Sequence, residues 1–194
     1  MLAQDSEDYD HYTPEEYLAL EEKAEYKSEY RHGKIFALAG ASINHNRIAK
    51  NSAFAIDAAL SGKRCETFIG DVRLWIEQKQ LYTYPDLMLV CGDLKFVKDR
   101  TDTITNPKVI IEILSESTAA YDRGDKFQAY WTLDSFEEYV LIDQDRIQVE
   151  YFRKVSEKEW KLLILTKADD VLKLESVEVE IPLSKIYHNV TWEE

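Results

Sequence analysis

Cysteine is nearly absent: only Cys65 and Cys91 occur, with no CxxC and no histidine close to either. Neither a disulfide framework nor a zinc site is suggested, and both residues are expected as buried core thiols. Glycine and proline are also scarce, at 6 and 4, which excludes a collagenous or low-complexity chain. No apolar run approaches the ~18 residues of a membrane span, and the opening MLAQDSEDYDHY is acidic where a secretory leader would be basic and then apolar. A cytoplasmic protein with no membrane partner is therefore expected. Positive charge is in short supply as well, the net charge being −13, and no basic stripe of the kind a tight sequence-independent DNA binder shows is present. The acids are unevenly spread, however. Residues 1–30 hold ten of them against two bases. Screening acts over roughly 8 Å at physiological salt, so this acidic segment leaves room for a nucleic-acid site elsewhere.

What remains is an ordinary globular composition in 194 residues, sufficient for one domain with a sizeable core. An acidic, disordered tail is expected over residues 1–12 and a single domain over 13–194. Thr13-Pro14-Glu15-Glu16 combines an N-cap, a first-turn proline and an acid at N3, the start of a helix reaching about Tyr26. Tyr26–Arg31 and Lys34–Leu38 flank His32-Gly33 as a hairpin. Apolar residues at helical spacing predict a helix from about Asn44 to Leu60. Strands are expected at Cys65–Ile69, Val72–Ile76 and Tyr82–Val90, then a polar loop over Cys91–Lys108. Val109–Leu114 (VIIEIL) reads as a strand buried on both faces, hence central in its sheet. Ser115–Thr118 offers caps for a helix through about Leu133. Further strands at Tyr139–Ile142, Arg146–Arg153, Trp160–Thr166, Val171–Leu174 and Val177–Ile181 precede a helical turn at Leu183–Tyr187. The fold class is α+β, a mixed sheet flanked by helices with a C-terminal β-meander.

Glu112 is the most informative residue, because it interrupts the most apolar strand. A carboxylate taken out of water costs several kcal/mol, in order of magnitude, unless it pairs, protonates or binds a metal. Asp86 poses the same problem at the head of Leu87-Met88-Leu89-Val90. If the two strands are neighbours the two acids converge, and like charges that close are tolerated when a cation lies between them. Oxygen ligands without nearby His or Cys favour Mg²⁺ or Mn²⁺, which suit phosphodiester hydrolysis. Lys126, on the helix after the Glu112 strand, is a candidate to stabilise developing negative charge. The plain alternative is a solvated turn aspartate and a glutamate facing a buried arginine.

Tyr84–Val90, Val109–Thr118, Tyr121-Asp122-Arg123 with Lys126 and Tyr130, Glu138–Asp143, and upstream Glu29–Ile35 and Gly40–Ser42 with His45 together resemble the Uma-two family, in the PD-(D/E)xK nuclease superfamily. The resemblance implies a restriction endonuclease-like core and a metal-dependent endonuclease acting on DNA as a homodimer. It places Asp86 and Glu112 as metal ligands, with the Ile113 carbonyl as a third. Leu114 stands where the motif has lysine, and Lys126 is the substitute the resemblance offers. Glu29 looks like the acid that superfamily members contribute from an N-terminal element. His45 and Arg123 are candidates for substrate contact, and Tyr121, Asp122 and Arg123 could also form a helix-start network that fixes Lys126. The competing reading, supported by Leu114 and the acidic balance, is a catalytically silent module that keeps the nuclease fold and binds a partner or nucleic acid. An acid-pair glycosidase is a third reading, disfavoured because the acids lie in buried strands rather than around an aromatic groove.

Overall fold

The structure is a computed structural model and describes residues 11–192. Most of the expected acidic tail lies outside that range, but Tyr12 is tied down, its N–H donating to Gly33 at 2.9 Å. Helix α1 (Pro14–Glu21) opens with the reciprocal capping box of Thr13 and Glu16. It stops short of Tyr26, where Glu21 turns to Ser28 and accepts from its N–H and hydroxyl. Strands β1 (Ser28–Arg31) and β2 (Lys34–Ala37) form the expected hairpin, with His32 and Gly33 both at positive φ, as a tight two-residue turn demands. Helix α2 (Ile43–Ala59) is capped by Ser42 and buries Ile48, Ala53 and Ile56.

The expected strand Tyr82–Val90 is in fact two strands in two sheets. Pro85 has no N–H to give a ladder, so the chain breaks there and changes sheet. After β3 (Cys65–Ile69) and β4 (Arg73–Ile76), β5 (Leu81–Thr83) joins a five-stranded sheet, while β6 (Leu87–Cys91) joins a six-stranded one. The loop expected over residues 91–108 contains β7 (Thr103–Ile104), both residues buried, paired parallel to β4. The register of β3 against β6 sets Cys65 opposite Cys91, and the two form a disulfide. The expectation of two separate thiols is thereby overturned. The spacing of 26 residues gives no hint of cross-strand partners, whereas the antiparallel register does.

β8 (Val109–Leu114) lies centrally as expected, antiparallel to β6 and parallel to β9 (Glu138–Asp143). Its alternation divides the core. Val109, Ile111 and Ile113 pack in one cluster with α2, and Ile110 and Leu114 in another on the opposite face. Glu112 falls on the second face by the same alternation. A helical stretch covers it: α3 (Ala119–Tyr121), a π-helical turn (Asp122–Lys126) and α4 (Phe127–Tyr130). The expected C-terminal meander divides. β10 (Val149–Ser156) and β11 (Glu159–Leu165) extend the large sheet in the order β11-β10-β9-β8-β6-β3, and β12 (Val171–Leu174) and β13 (Val179–Pro182) pair separately before α5 (Leu183–Ile186).

Candidate active site

A cleft of about 810 Å³ opens where β6 and β8 cease to pair. Their ladder ends at Leu87 opposite Ile111. Beyond that point side chains replace backbone partners: Ile113 N–H donates to Asp86 Oδ2 at 2.7 Å, and Asp86 N–H to Glu112 Oε2 at 3.2 Å. The two acids are thus brought together by the splaying of adjacent strands. A strand residue points its N–H and C=O to the same side, so the Ile113 carbonyl faces the Asp86 edge as well.

Glu112 is 3 % exposed. Its Oε1 accepts from Tyr130 Oη at 2.6 Å and from Lys126 Nζ at 2.8 Å. Burial pushes its carboxyl above the ordinary carboxylate range; the Lys126 charge opposes the rise, while Asp122 and Asp86 add to it. Lys126 is as deeply placed and also lies 3.5 Å from Asp122 and 3.6 Å from Glu29. Burial penalises its ammonium, but Glu112, Glu29 and Asp122 outweigh that penalty and hold its pKa well above the ordinary value. The π-turn places Asp122 and Lys126 together on the buried side, a distortion common at functional sites.

Glu29 reaches the same lysine from the other sheet. Its Oε2 accepts from Arg31 Nε at 3.1 Å, and Oε1 accepts from the Thr83 hydroxyl. The Arg31 guanidinium in turn stacks on the Tyr121 ring, 3.8 Å from its centroid. His45, in the first turn of α2, lies with Nε2 at 3.2 Å from Asp86 Oδ2 and lines the cleft. Arg123 points elsewhere: it pairs with Glu150 at 2.7 Å on β10 and does not line the cleft. Of the helix-start trio, Asp122 touches Lys126, the Tyr121 ring lies 5.8 Å from its Nζ, and Arg123 takes no part. Reading the sequence did not give Thr83 and Tyr130 roles in the site. Tyr130 could have been found, since Asp122, Lys126 and Tyr130 recur every fourth residue. Thr83 carries no such signal.

Among the described residues no group of three or more His, Cys, Asp and Glu is gathered as a metal cage. The chain offers two carboxylates and one carbonyl, an oxygen-only set in an open cleft, with both cysteines occupied in their bridge. That set fits a hard divalent ion that keeps water or takes substrate oxygens, and not a thiolate-seeking one.

The family model Uma2, described as "Putative restriction endonuclease", matches residues 14–184. Two uncharacterized proteins of Synechocystis sp. are similar over nearly their whole length: sll1609 is 39 % identical, covering 90 % of this chain and 94 % of that protein, and slr1290 is 34 % identical, covering 93 % of each. A crystal structure from Anabaena variabilis, titled as a "putative nuclease belonging to DUF820", superposes with a TM-score of 0.74. It shares 18 % identity and covers 91 % of this chain and 97 % of its own, a likeness of fold.

Proposed function

The chain belongs to the Uma2 family, and from that premise we propose that it is a divalent-metal-dependent endonuclease hydrolysing phosphodiester bonds of DNA. The observation that carries this reading is the meeting of Asp86, Glu112 and Lys126 in one cleft, from a strand lead-in, a central strand and a helix. Asp86, Glu112 and the Ile113 carbonyl are the residues that would hold Mg²⁺ or Mn²⁺. When bound, such an ion supplies Lewis-acid neutralisation of charge on the phosphoryl oxygens.

The remaining steps belong to the chain itself. Lys126, surrounded by three carboxylates, stays an ammonium and serves as a fixed donor to the phosphate or to the attacking water. It does not act as the base. Glu29, braced by Arg31 and Thr83, and Asp122 hold that ammonium at the cleft floor. Tyr130 fixes the Glu112 carboxylate, and His45 on the rim is placed to donate to a phosphate oxygen. Arg123 has no place in this arrangement.

A specific observation favours the second reading, a silent nuclease-fold module. Glu112 Oε1 is already engaged by two donors, and Leu114, where the motif has lysine, is sealed in the core. Incubation of the purified protein with supercoiled, linear and single-stranded DNA in Mg²⁺ or Mn²⁺ separates the two. Cleavage lost in Asp86→Asn and Glu112→Gln supports the nuclease. No cleavage of any substrate, with no calorimetric response to Mn²⁺, refutes it in favour of the silent module.

A further inference from the structure

We infer that the outer edge of β11 is the interface between two copies of this chain, paired antiparallel about a two-fold axis at Leu163. This goes beyond the nuclease reading and does not depend on it. Among the described residues β11 pairs only with β10, so one side of a seven-residue strand presents its backbone N–H and C=O groups outward. Sheet edges are ordinarily kept short, bulged or charged to prevent such pairing. Here Leu162, Leu163 and Ile164 stand consecutively, each about half exposed (47, 45 and 54 %). The opposite edge, β3, is shorter and shows a single exposed aliphatic, Ile69.

The occupant follows from register. Consecutive aliphatics fall on both faces of a strand, so a ligand lying on one face would cover only part of them. Another strand at the edge covers both. The two faces of β11 already continue two different core clusters, Leu165 belonging to the cluster with α2 and Trp160 packing against the cluster beneath α4. With a two-fold at Leu163, each leucine meets its counterpart on the first face, and Leu162 meets Ile164 twice on the second. Both clusters then run on across the junction. In the same register Glu159 of one copy comes level with Lys167 of the other, twice, two residues past the strand end where the Lys167 N–H turns to Asp170, and within the strand no like charges are opposed; Lys161 falls opposite Leu165. A second copy of this strand is therefore complementary to it in hydrogen bonding, apolar pattern and charge, as an isologous interface requires.

Joining the sheets this way leaves both clefts open. Seven strand spacings separate one β8 from the other, about 34 Å, with the clefts at opposite ends of the joined sheet.

Analytical ultracentrifugation of the full chain tests the proposal. The expected result is a mass of two chains for the wild type and of one chain for Leu163→Lys, which sets two ammonium groups against each other at the axis. In case that variant fails to fold, the charge pair gives an independent test. Glu159→Lys should raise the dimer dissociation constant several-fold, and Glu159→Lys with Lys167→Glu should restore it. A wild-type monomer overturns the proposal, as does a dimer unmoved by these folded variants, which would place the contact elsewhere. Neither result bears on DNA cleavage.

Discussion

Lys126 Nζ lies 2.8 Å from Glu112 Oε1, although it arrives from a helix, while Leu114, two positions along the strand from Glu112, faces the apolar cluster. The basic group is supplied from outside the strand, and the buried acids depend on it. Removing one partner of a buried ion pair costs about 3–5 kcal/mol, because the other charge is left without compensation. Lys126→Met leaves Glu112 and Asp122 without a cation, while Glu29 keeps Arg31. Urea unfolding should show a loss of that order, and nicking should fall by about 10²–10³ or more, as for removal of a charge-stabilising donor. Lys126→Met combined with Glu112→Gln should recover much of the stability and none of the cleavage. This separates the structural role of the lysine from its chemical one.

Metal binding is expected to couple to folding. A ligand bound only by the native state stabilises by RT ln(1 + [L]/Kd), about 2.7 kcal/mol at a hundredfold excess over Kd. Differential scanning calorimetry should therefore show Mn²⁺ raising the Tm of the wild type. Asp86→Asn should lose that response while keeping the metal-free Tm within a degree or two, since Asp86 is partly open to the cleft and its Ile113 contact survives in the amide. Chelation of an active preparation should return both Tm and cleavage to their metal-free values.

Away from the cleft, Glu138 is fully buried; its Oε1 accepts from Tyr151 Oη and Ser176 N–H at 2.8 Å each, and Oε2 has no partner among the described residues. Burial raises its pKa above the ordinary 4.5. Between 4.5 and the raised value the native state keeps a proton that the unfolded chain has released. Stability from this group is thus complete below 4.5 and declines as pH rises through the folded pKa. Glu138→Gln, which is neutral at every pH, should flatten that decline and raise the Tm at pH 7–8. An unchanged slope in thermal scans from pH 4.5 to 8 would show that the glutamate is not protonated in the folded protein.

Much of the site was legible in sequence because buried charge is anomalous. Glu112 inside VIIEIL and Asp86 after Pro85 announce themselves by the cost of burying them, and Lys126 is a candidate by its place on the helix that follows the Glu112 strand. Glu29 was legible only by resemblance, since a hairpin acid is usually solvated. Three features were not legible. The π-turn depends on tertiary packing that local propensity does not encode. The strand switch at Pro85 requires knowing that two sheets exist. Thr83 acts through a contact with Glu29 that only the pairing of β1 with β5 creates. Arg123 shows the converse, since proximity in sequence to Lys126 does not carry it to the same side of the helix.

The same pairing of distant residues underlies the bridge between Cys65 and Cys91. Linking residues 26 apart restricts the unfolded chain, worth roughly 3.5 kcal/mol by loop entropy. Without reductant, thiol titration of the unfolded protein should find no free cysteine. Replacing both by alanine should lower stability by up to that amount, read as an earlier urea midpoint with a steeper slope, because the unfolded chain without its cross-link exposes more surface. Folding itself should survive, because β3 and β6 remain paired over Glu66–Ile69 opposite Leu87–Val90. Cleavage should survive as well: the bridge ties the far end of β6 from Asp86, and the Asp86–Ile113 and Asp86–Glu112 contacts do not pass through it. Loss of cleavage in a folded double-alanine variant would instead mean that the position of Asp86 is set along the length of β6, and not by the splayed end of β6 and β8 alone.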